Sequence, residues 1–176
     1  MHIRTATSSD TTQIMHLIHQ KAHFDGCPNA VEATIETLTS TLFSPQPMAY
    51  VLLVDPSAEG ISALESVSSQ AVLVRSTPIG FASYHFTYST FLARPGLWLD
   101  DLFIQPEYRN QAIGTRLIQS LCKIAQQHNC GRIDWTVDVE NTAGIRFYRR
   151  MGGQLQTQVH LCRLDRPSIQ TVLQEA

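Results

Sequence analysis

The stretch from Tyr108 to Thr115 combines residue types that suit the binding of an anion. It reads Tyr-Arg-Asn-Gln-Ala-Ile-Gly-Thr, and it lies between a predicted strand and a predicted long helix. The first N–H groups of a helix have no partner within the helix and lie at the positive end of its dipole. Small side chains at Ala112 and Gly114 let phosphate oxygens approach the main chain. By physics alone, the segment is equally consistent with a pyrophosphate cradle and with a simple strand-to-helix turn.

This segment needs a scaffold of strands and helices around it. Apolar spacing predicts helices after Ser8-Ser9-Asp10 and over 30–42, 114–128 and 142–151. It predicts strands at 2–4, 49–54, 79–87, 98–104, 133–139 and 158–164. The order β-α-α-β-β-β-α-β-α-β predicts a mixed α/β fold, with a central sheet and helices on both faces.

Glycines and a polar segment interrupt the predicted helices and strands. Gly131 is predicted to supply a left-handed turn after helix 114–128, and Gly152 and Gly153 are predicted to end the last helix. Residues 55–70 are rich in Ser, Ala and Glu, and we expect an insertion there rather than a linker between domains. Residues 72–74 are predicted to extend a strand pair.

Length and charge restrict the class of protein. A chain of 176 residues with a net charge of −2 fits one domain, 1–176, and lacks the basic excess that nucleic-acid binding requires. The longest apolar runs, 50–54 and 71–74, are too short to span a bilayer, and no signal peptide is visible at Met1. We expect a cytoplasmic protein that binds neither nucleic acid nor a membrane.

Cysteine and histidine do not form a pattern typical of a metal site. No Cys-x-x-Cys pair is present, and we interpret Cys27, Cys122, Cys130 and Cys162 as reduced, partly buried thiols. His16 and His19 lie three residues apart, without a nearby cysteine or a second acidic ligand. The sequence therefore predicts no metal.

Two motifs resemble the GNAT family of N-acetyltransferases. Arg109-x-x-Ala112-x-Gly114 is similar to the family's Arg/Gln-x-x-Gly-x-Gly/Ala signature for the CoA pyrophosphate. The segment from Asn141 to Gly152 is similar to the family's Asn-x-x-Ala-x-x-x-Tyr-x-x-x-Gly segment. At the family's spacing, the two motifs together are more specific than either alone. The resemblance implies the GNAT fold, in which a splayed strand pair interrupts a mixed, mostly antiparallel sheet, and acetyl-CoA as co-substrate.

The resemblance also assigns roles along the chain. The strand 102–104 would donate an N–H group to the thioester oxygen and pair with the pantetheine arm. Asn141 would bind that arm or cap the next helix. Tyr148 would protonate the departing thiolate as the catalytic acid, or else pack under the sheet. The implied acetyl-CoA-binding residues are Leu102, Phe103, Ile104, Arg109, Asn110, Gln111, Ala112, Ile113, Gly114, Thr115, Asn141 and Gly144.

A finer resemblance concerns the acceptor. Residues 3–7, 80–91 and 99–104 are similar to the spermidine/spermine and thialysine acetyltransferase branch, which implies Phe24, Asp25 and Asp100 as substrate-binding residues. Strict alternation along a strand points Asp100 and Asp101 to opposite sides, so we expect Asp101 to be a sheet-edge or helix-cap carboxylate. The longer 55–70 segment and Asp138-Val139-Glu140-Asn141 depart from the branch and leave the substrate open.

The resulting hypothesis is an N-acetyltransferase that acts on a small diamine, polyamine or lysine-like amino acid. It works by direct attack of the neutral amine on the thioester, and the branch implies a homodimer. Two alternatives stay open at this point. One is acetylation of a protein or peptide amine, and the other is a CoA-binding sensor module without turnover.

Overall fold

The computed structural model describes residues 1–56 and 77–174. Its contacts divide the chain into two compact units, residues 1–136 and 137–176, and each is described by itself. The predicted strand 72–74 and most of the predicted insertion lie outside the described residues. No helix within the described part is long and apolar enough to cross a membrane.

The described residues of the first unit form a five-stranded sheet whose strands are neighbours in chain order. The first three pairings are antiparallel, and the last is parallel. The prediction of a mixed, mostly antiparallel sheet is therefore confirmed. The strands are β1 (His2–Thr5), β2 (Tyr50–Asp55), β3 (Gly80–Ser89), β4 (Arg94–Ile104) and β5 (Ile133–Asp134).

Strand β5 is only two residues long, so its pairing with β4 ends early. Leu97 pairs with Ile133 and Trp98 with Asp134, and these are the only two pairs that the described residues form between the strands. The predicted strand 133–139 is thus much shorter than expected. Along residues 99–104, no described strand pairs with this edge of β4. The early end of this pairing leaves the unpaired edge of β4 that the predicted splayed strand pair requires.

Helices cover both faces of this sheet. The helices of the first unit are α1 (Thr11–Phe24), α2 (Ile35–Leu42) and α3 (Ile113–Gln127). On one face, Ile14 and Leu17 of α1 pack in a cluster with Leu53, Phe81 and Phe103. On the opposite face, the alternate β2 residues are also buried, as the pleat requires, and α3 packs against β4. The predicted apolar stripe of α3 is buried at Leu117, Ile118, Leu121 and Ala125.

Two helix boundaries differ from the prediction. Helix α2 begins at Ile35 rather than at residue 30, because Pro28 opens a short 3₁₀ turn and the side chain of Thr34 caps the helix. After α3, the left-handed residue is Asn129, with φ of 53°, and not Gly131. Asparagine tolerates this conformation. Gly131 has a different constraint, since a Cβ there would lie 2.7 Å from Cδ1 of Leu92.

Over its described residues, 137–174, the second unit contains two helices, α4 (Thr142–Arg150) and α5 (Arg166–Gln174). Gly152, with φ of 89°, and Gly153 end α4 as predicted. The predicted strand 158–164 is wrong, because these residues form no strand and Val159 and Leu161 are exposed. Alternating apolar residues form a strand only where neighbouring backbone is available to pair with them.

Helix α5 was not predicted from the sequence. The carboxylate of Asp165 accepts a hydrogen bond from the N–H of Ser168, at 2.9 Å, and so caps the start of this helix. Pro167 lies in the first turn, where it is well tolerated. The sequence Asp-Arg-Pro is therefore a helix-start signal that could have been recognised.

The four cysteines are free thiols. Cys27, Cys122 and Cys162 are exposed rather than partly buried as expected, and Cys130 is half-buried. Burial raises the pKa of the Cys130 thiol. Within the described residues, no group of three or more His, Cys, Asp or Glu side chains is arranged to hold a metal ion.

Candidate active site

The turn between β4 and α3 has an unusual backbone. Asn110 and Ala112 both adopt left-handed conformations, with φ of 60° and 59°. Ala112 is the N-cap of α3, and its carbonyl accepts a hydrogen bond from the N–H of Arg116 at 3.1 Å. The N–H groups of residues 113–115 therefore precede the first helical hydrogen bond at this end. This arrangement offers donors to an anion at the positive end of a 15-residue helix.

Arg109 is held by two kinds of contact. Its Nε donates a hydrogen bond to the carbonyl of Ile104 at 2.9 Å. Its guanidinium carbon lies 4.3 Å from the ring centre of Phe24 and 5.8 Å from that of Phe103. These contacts fix the side chain beside the turn and leave its Nη groups as donors for a ligand.

The open edge of β4 lies just before this turn. Leu102 and Ile104 are half-buried there, whereas Phe103 is buried and packs towards α1. Because the pairing with β5 ends at Trp98, the backbone of residues 99–104 can pair with an extended ligand on that edge.

A β-bulge interrupts β4 where the acidic residues lie. Ser83 pairs with Asp101 and Tyr84 pairs with Leu99, so Asp100 is the extra residue. The assumption of strict alternation is therefore wrong at this point. Asp100 is exposed at the bulge, as its predicted role in contacting a substrate requires.

Asp101 lies on the unpaired edge of β4, one of the two positions predicted for it, but its carboxylate is engaged by two other side chains. Its Oδ1 lies 3.0 Å from Nζ of Lys21, and its Oδ2 accepts a hydrogen bond from the hydroxyl of Ser83 at 2.9 Å. Lys21 also forms an ion pair with Asp25, four residues further along the chain, which is the C-cap residue of α1. Asp25 and Asp101 thus share one ammonium group.

The protonated form of Lys21 is favoured in this setting. Burial alone lowers the pKa of Lys21, but the hydrogen bonds and charges of Asp25 and Asp101 outweigh burial and raise it above the ordinary value of 10.5. The ammonium is therefore charged at neutral pH.

The last turns of α1 run beside the second half of β4. Oε1 of Gln20 accepts a hydrogen bond from Nε2 of Gln105 at 3.0 Å, and the rings of Phe24 and Phe103 are 6.3 Å apart. The structure therefore brings the predicted residues Phe24, Asp25 and Arg109 close to β4. Sequence reasoning missed Lys21, although its spacing of four from Asp25 on a predicted helix was a usable signal.

In the second unit, Asn141 caps α4. Its Oδ1 accepts a hydrogen bond from the N–H of Gly144 at 2.8 Å, which is the capping alternative predicted for it. A Cβ at Gly144 would lie 2.8 Å from Nδ2 of Asn141. Tyr148 is half-buried on the same helix, and its ring centre lies 5.1 Å from that of Phe147.

Comparison with known proteins relates the chain to acetyltransferases. The sequence model of the acetyltransferase (GNAT) family matches residues 31–153, more than half of the chain. An L-ornithine N5-acetyltransferase of Arabidopsis thaliana is 29% identical over 197 residues, covering 97% of this chain and 86% of the relative. A thialysine N-epsilon-acetyltransferase of Mus musculus is 31% identical over 156 residues, covering 89% of this chain and 85% of the relative.

Solved structures are similar over nearly the whole length. An integron cassette protein from the mobile metagenome of V. cholerae has a TM-score of 0.71 at 20% identity, covering 98% of this chain and 96% of its own. An aminoglycoside acetyltransferase from an uncultured soil metagenomic sample has a TM-score of 0.70 at 16% identity, covering 94% and 96%. At these identities the likeness shows the fold.

Proposed function

The chain belongs to the acetyltransferase (GNAT) family and is an acetyl-CoA-dependent N-acetyltransferase, and from this premise we propose that its acceptor is a small amine. The proposed class comprises diamines, polyamines and lysine-like amino acids. The observation that carries the proposal is the acidic group formed by Asp25, Asp100 and Asp101, next to the turn that Arg109 anchors. Carboxylates attract an ammonium and can accept its proton.

The residues of the first unit fit the binding of acetyl-CoA. The left-handed turn at Asn110 and Ala112, the free N–H end of α3 and the anchored guanidinium of Arg109 suit a pyrophosphate. The open edge of β4 over Leu102 to Ile104 suits an extended arm with amide groups. We propose that Gln111, Ile113, Gly114 and Thr115 complete this site, and that Asn141 and Gly144 are acetyl-CoA-binding residues as the family resemblance implies.

Bound acetyl-CoA supplies an acetyl group as a thioester, which an amine nitrogen attacks to form the amide and release the thiol. An N–H group of β4 in 102–104 is proposed to donate to the carbonyl oxygen as negative charge develops there. The amine must first lose a proton, and the nearby carboxylates, directly or through a water molecule, are the proposed acceptors. Tyr148 is proposed to give its phenolic proton to the departing sulfur.

The acceptor side of the site is assigned to residues of α1 and β4. Asp100 is exposed at the bulge and is the proposed contact for the reacting amine. Phe24 is 53% exposed at the end of α1, so part of its ring is available to the apolar chain of an acceptor. Asp25 is proposed to extend the acidic surface.

We also propose a homodimer and a single functional domain over residues 1–176. Val159, Leu161 and Leu164 of the second unit are exposed, and burial against a second copy would remove their apolar surface from water. Light scattering during size-exclusion chromatography gives the mass directly, and a monomer at micromolar concentration would exclude the dimer. A cytoplasmic location stays a prediction from the sequence.

An acceptor panel tests the proposed function. Release of CoA from acetyl-CoA is measured with lysine, ornithine, thialysine, short diamines, spermidine, an aminoglycoside and peptides with free amines. One or a few small amines should exceed the peptides by about a hundredfold in kcat/KM, because charge-based recognition of small cations is strong in a partly buried site. Activity on peptides alone would replace the proposal with protein acetylation. Binding of acetyl-CoA without turnover on any amine would favour the sensor alternative.

A further inference from the structure

Lys21 occupies the acidic surface that the proposed function assigns to the acceptor. Its ammonium lies between the carboxylates of Asp25 and Asp101, and its side chain is 24% exposed. Ser83 takes the remaining oxygen of Asp101. Both oxygens of Asp101 are therefore already engaged by groups of the protein itself.

The ion pairs change the charge that an approaching amine meets. Asp25, Asp100 and Asp101 contribute three negative charges, and Lys21 removes one of them. A lysine ammonium has the same chemistry as the second amine of a diamine. Lys21 thus fills the position between two carboxylates where a second ammonium of the acceptor would otherwise bind.

We propose that Lys21 is a specificity-determining residue that disfavours doubly charged acceptors. The favoured acceptor carries one net positive charge, as a basic amino acid does, because its carboxylate offsets its α-ammonium. The disfavoured acceptor is a diamine or polyamine, whose second ammonium meets Lys21 instead of a free carboxylate pair. This inference rests on the proposed function and narrows the substrate class of the same site.

Matched pairs of acceptors isolate the effect of the second charge. Lysine differs from 1,5-diaminopentane only by its carboxylate, and ornithine differs from 1,4-diaminobutane in the same way. The measured quantity is the ratio of kcat/KM for the amino acid to that for the diamine. In the wild-type enzyme the ratio should exceed one, and Lys21→Met should shift it about tenfold towards the diamine.

The chain offers a matched control, because it contains only two lysines. Lys123 is exposed on α3, so Lys123→Met removes the same charge away from the acidic residues and should leave the ratio unchanged. Lys21→Arg keeps the positive charge and should retain the wild-type preference. An equal shift in both methionine variants would attribute the effect to net charge and overturn the assignment to Lys21.

A binding measurement separates this inference from the proposed function. Calorimetry of 1,5-diaminopentane with the enzyme and CoA, without an acetyl group to transfer, should show about tenfold tighter binding in Lys21→Met than in the wild type. Lys21→Gln serves the same purpose if the methionine variant does not fold. Unchanged diamine affinity in a folded variant overturns the role of Lys21, whereas a wild type that binds amines but acetylates none overturns only the proposed function.

Discussion

The guanidinium carbon of Arg109 lies 4.3 Å from the ring centre of Phe24, so the end of the first helix supports the turn that follows β4. The contact joins residues 85 positions apart in the sequence. Arg109 is also bonded through Nε to the carbonyl of Ile104. Its orientation is therefore set by a side chain from α1 together with the backbone and the Phe103 ring of β4.

Phe24→Leu should weaken the binding of CoA by about two- to fivefold. A partly exposed cation–π contact is worth about 0.5–1 kcal/mol, and its loss frees the Arg109 side chain. Calorimetric titration with CoA measures the effect. Phe91→Leu is the matched control, since Phe91 is 100% exposed. Equal affinity in the Phe24 variant and the wild type would show that the Phe24 ring is not needed to orient Arg109.

Ala112→Gly should raise the free energy of unfolding by about 0.5–1 kcal/mol. Ala112 has φ of 59°, where a Cβ is strained, and the relief exceeds the extra chain entropy of glycine. Asn110→Gly, at nearly the same φ, should change stability less, because asparagine tolerates this region. Urea unfolding measures both variants. A destabilised Ala112 variant would mean that entropy outweighs strain at this turn.

The effect of Gly144→Ala on the stability of α4 should change sign with the residue at position 141. In the wild type the new Cβ would crowd the amide of Asn141, at 2.8 Å from Nδ2, and would disturb a cap worth about 1 kcal/mol. In an Asn141→Ala background the crowding is gone, and the better helix propensity of alanine should stabilise α4 by about 1 kcal/mol. Hydrogen exchange of the α4 amides measures this cycle. If the effects of Gly144→Ala and Asn141→Ala on stability simply added, crowding between the two residues would be excluded as the cause of the sign change.

The sequence predicts the parts of this fold in which local signals and burial agree. The stripe from Leu117 to Ala125 is apolar at helical spacing and is buried in the structure, and the glycines after α4 end it as expected. The apolar alternation of Val159 and Leu161 gives the wrong answer, because pairing depends on a neighbouring strand that a local pattern cannot supply. The left-handed residue after α3 was also wrongly predicted. Asparagine and glycine both adopt a positive φ, so the sequence does not distinguish Asn129, which has it, from Gly131, which was expected to.

The candidate site likewise has parts that the sequence predicts and parts that it does not. Motif spacing located the turn at Arg109 and gave a helix cap as one of two roles for Asn141, because each depends on backbone geometry within a few residues. The pairing of Lys21 with Asp101 was not predicted, since it depends on the packing of α1 beside β4. The bulge at Asp100 was missed because one extra residue in a strand leaves no periodic signal.

Arg4→Met should destabilise the protein by about 3 kcal/mol at neutral pH. Asp10 is 2% exposed, and removal of Arg4, whose Nη1 lies 2.8 Å from its Oδ2, leaves a buried carboxylate without its cation. The hydrogen bond from Arg4, against the cost of burial, holds the pKa of Asp10 well below its ordinary value of 3.8. The carboxylate of Asp10 therefore contributes its full stabilisation at a pH above its ordinary pKa, which it has in the unfolded chain. That contribution is lost as the pH falls through the lower pKa of the folded state.

Denaturant titrations over pH check this sign. The free energies of unfolding of the wild type and Arg4→Met should converge as the pH falls below about 4. Protonation of Asp10 removes the ion pair with Arg4, which the variant already lacks. Asp134→Asn removes an exposed carboxylate paired with Arg132 at 2.7 Å and should cost less than about 1 kcal/mol. A constant difference between wild type and Arg4→Met down to pH 2 would contradict the assignment to Asp10.

Tyr148→Phe should lower kcat with the best small amine by about a hundredfold or more. The change removes only the hydroxyl group, and loss of a general acid typically slows a reaction by 10²- to 10⁴-fold. The dissociation constant of acetyl-CoA should change less than twofold, because the proposed proton transfer occurs only as the C–S bond breaks. Single-turnover kinetics with saturating acetyl-CoA separates the chemical step from binding and release.

Tyr50→Phe is the matched control for the hydroxyl group. Tyr50 stacks on Tyr84 in the sheet, with ring centres 5.4 Å apart, and its phenol has no proposed part in the reaction. Equal melting temperatures of both variants would show that the ring of Tyr148, which lies beside Phe147, keeps its packing. If Tyr148→Phe retained kcat within twofold of the wild type, Tyr148 would be a packing residue. The proton of the departing thiol would then have to come from solvent or from the amine itself, because direct attack still releases a thiolate.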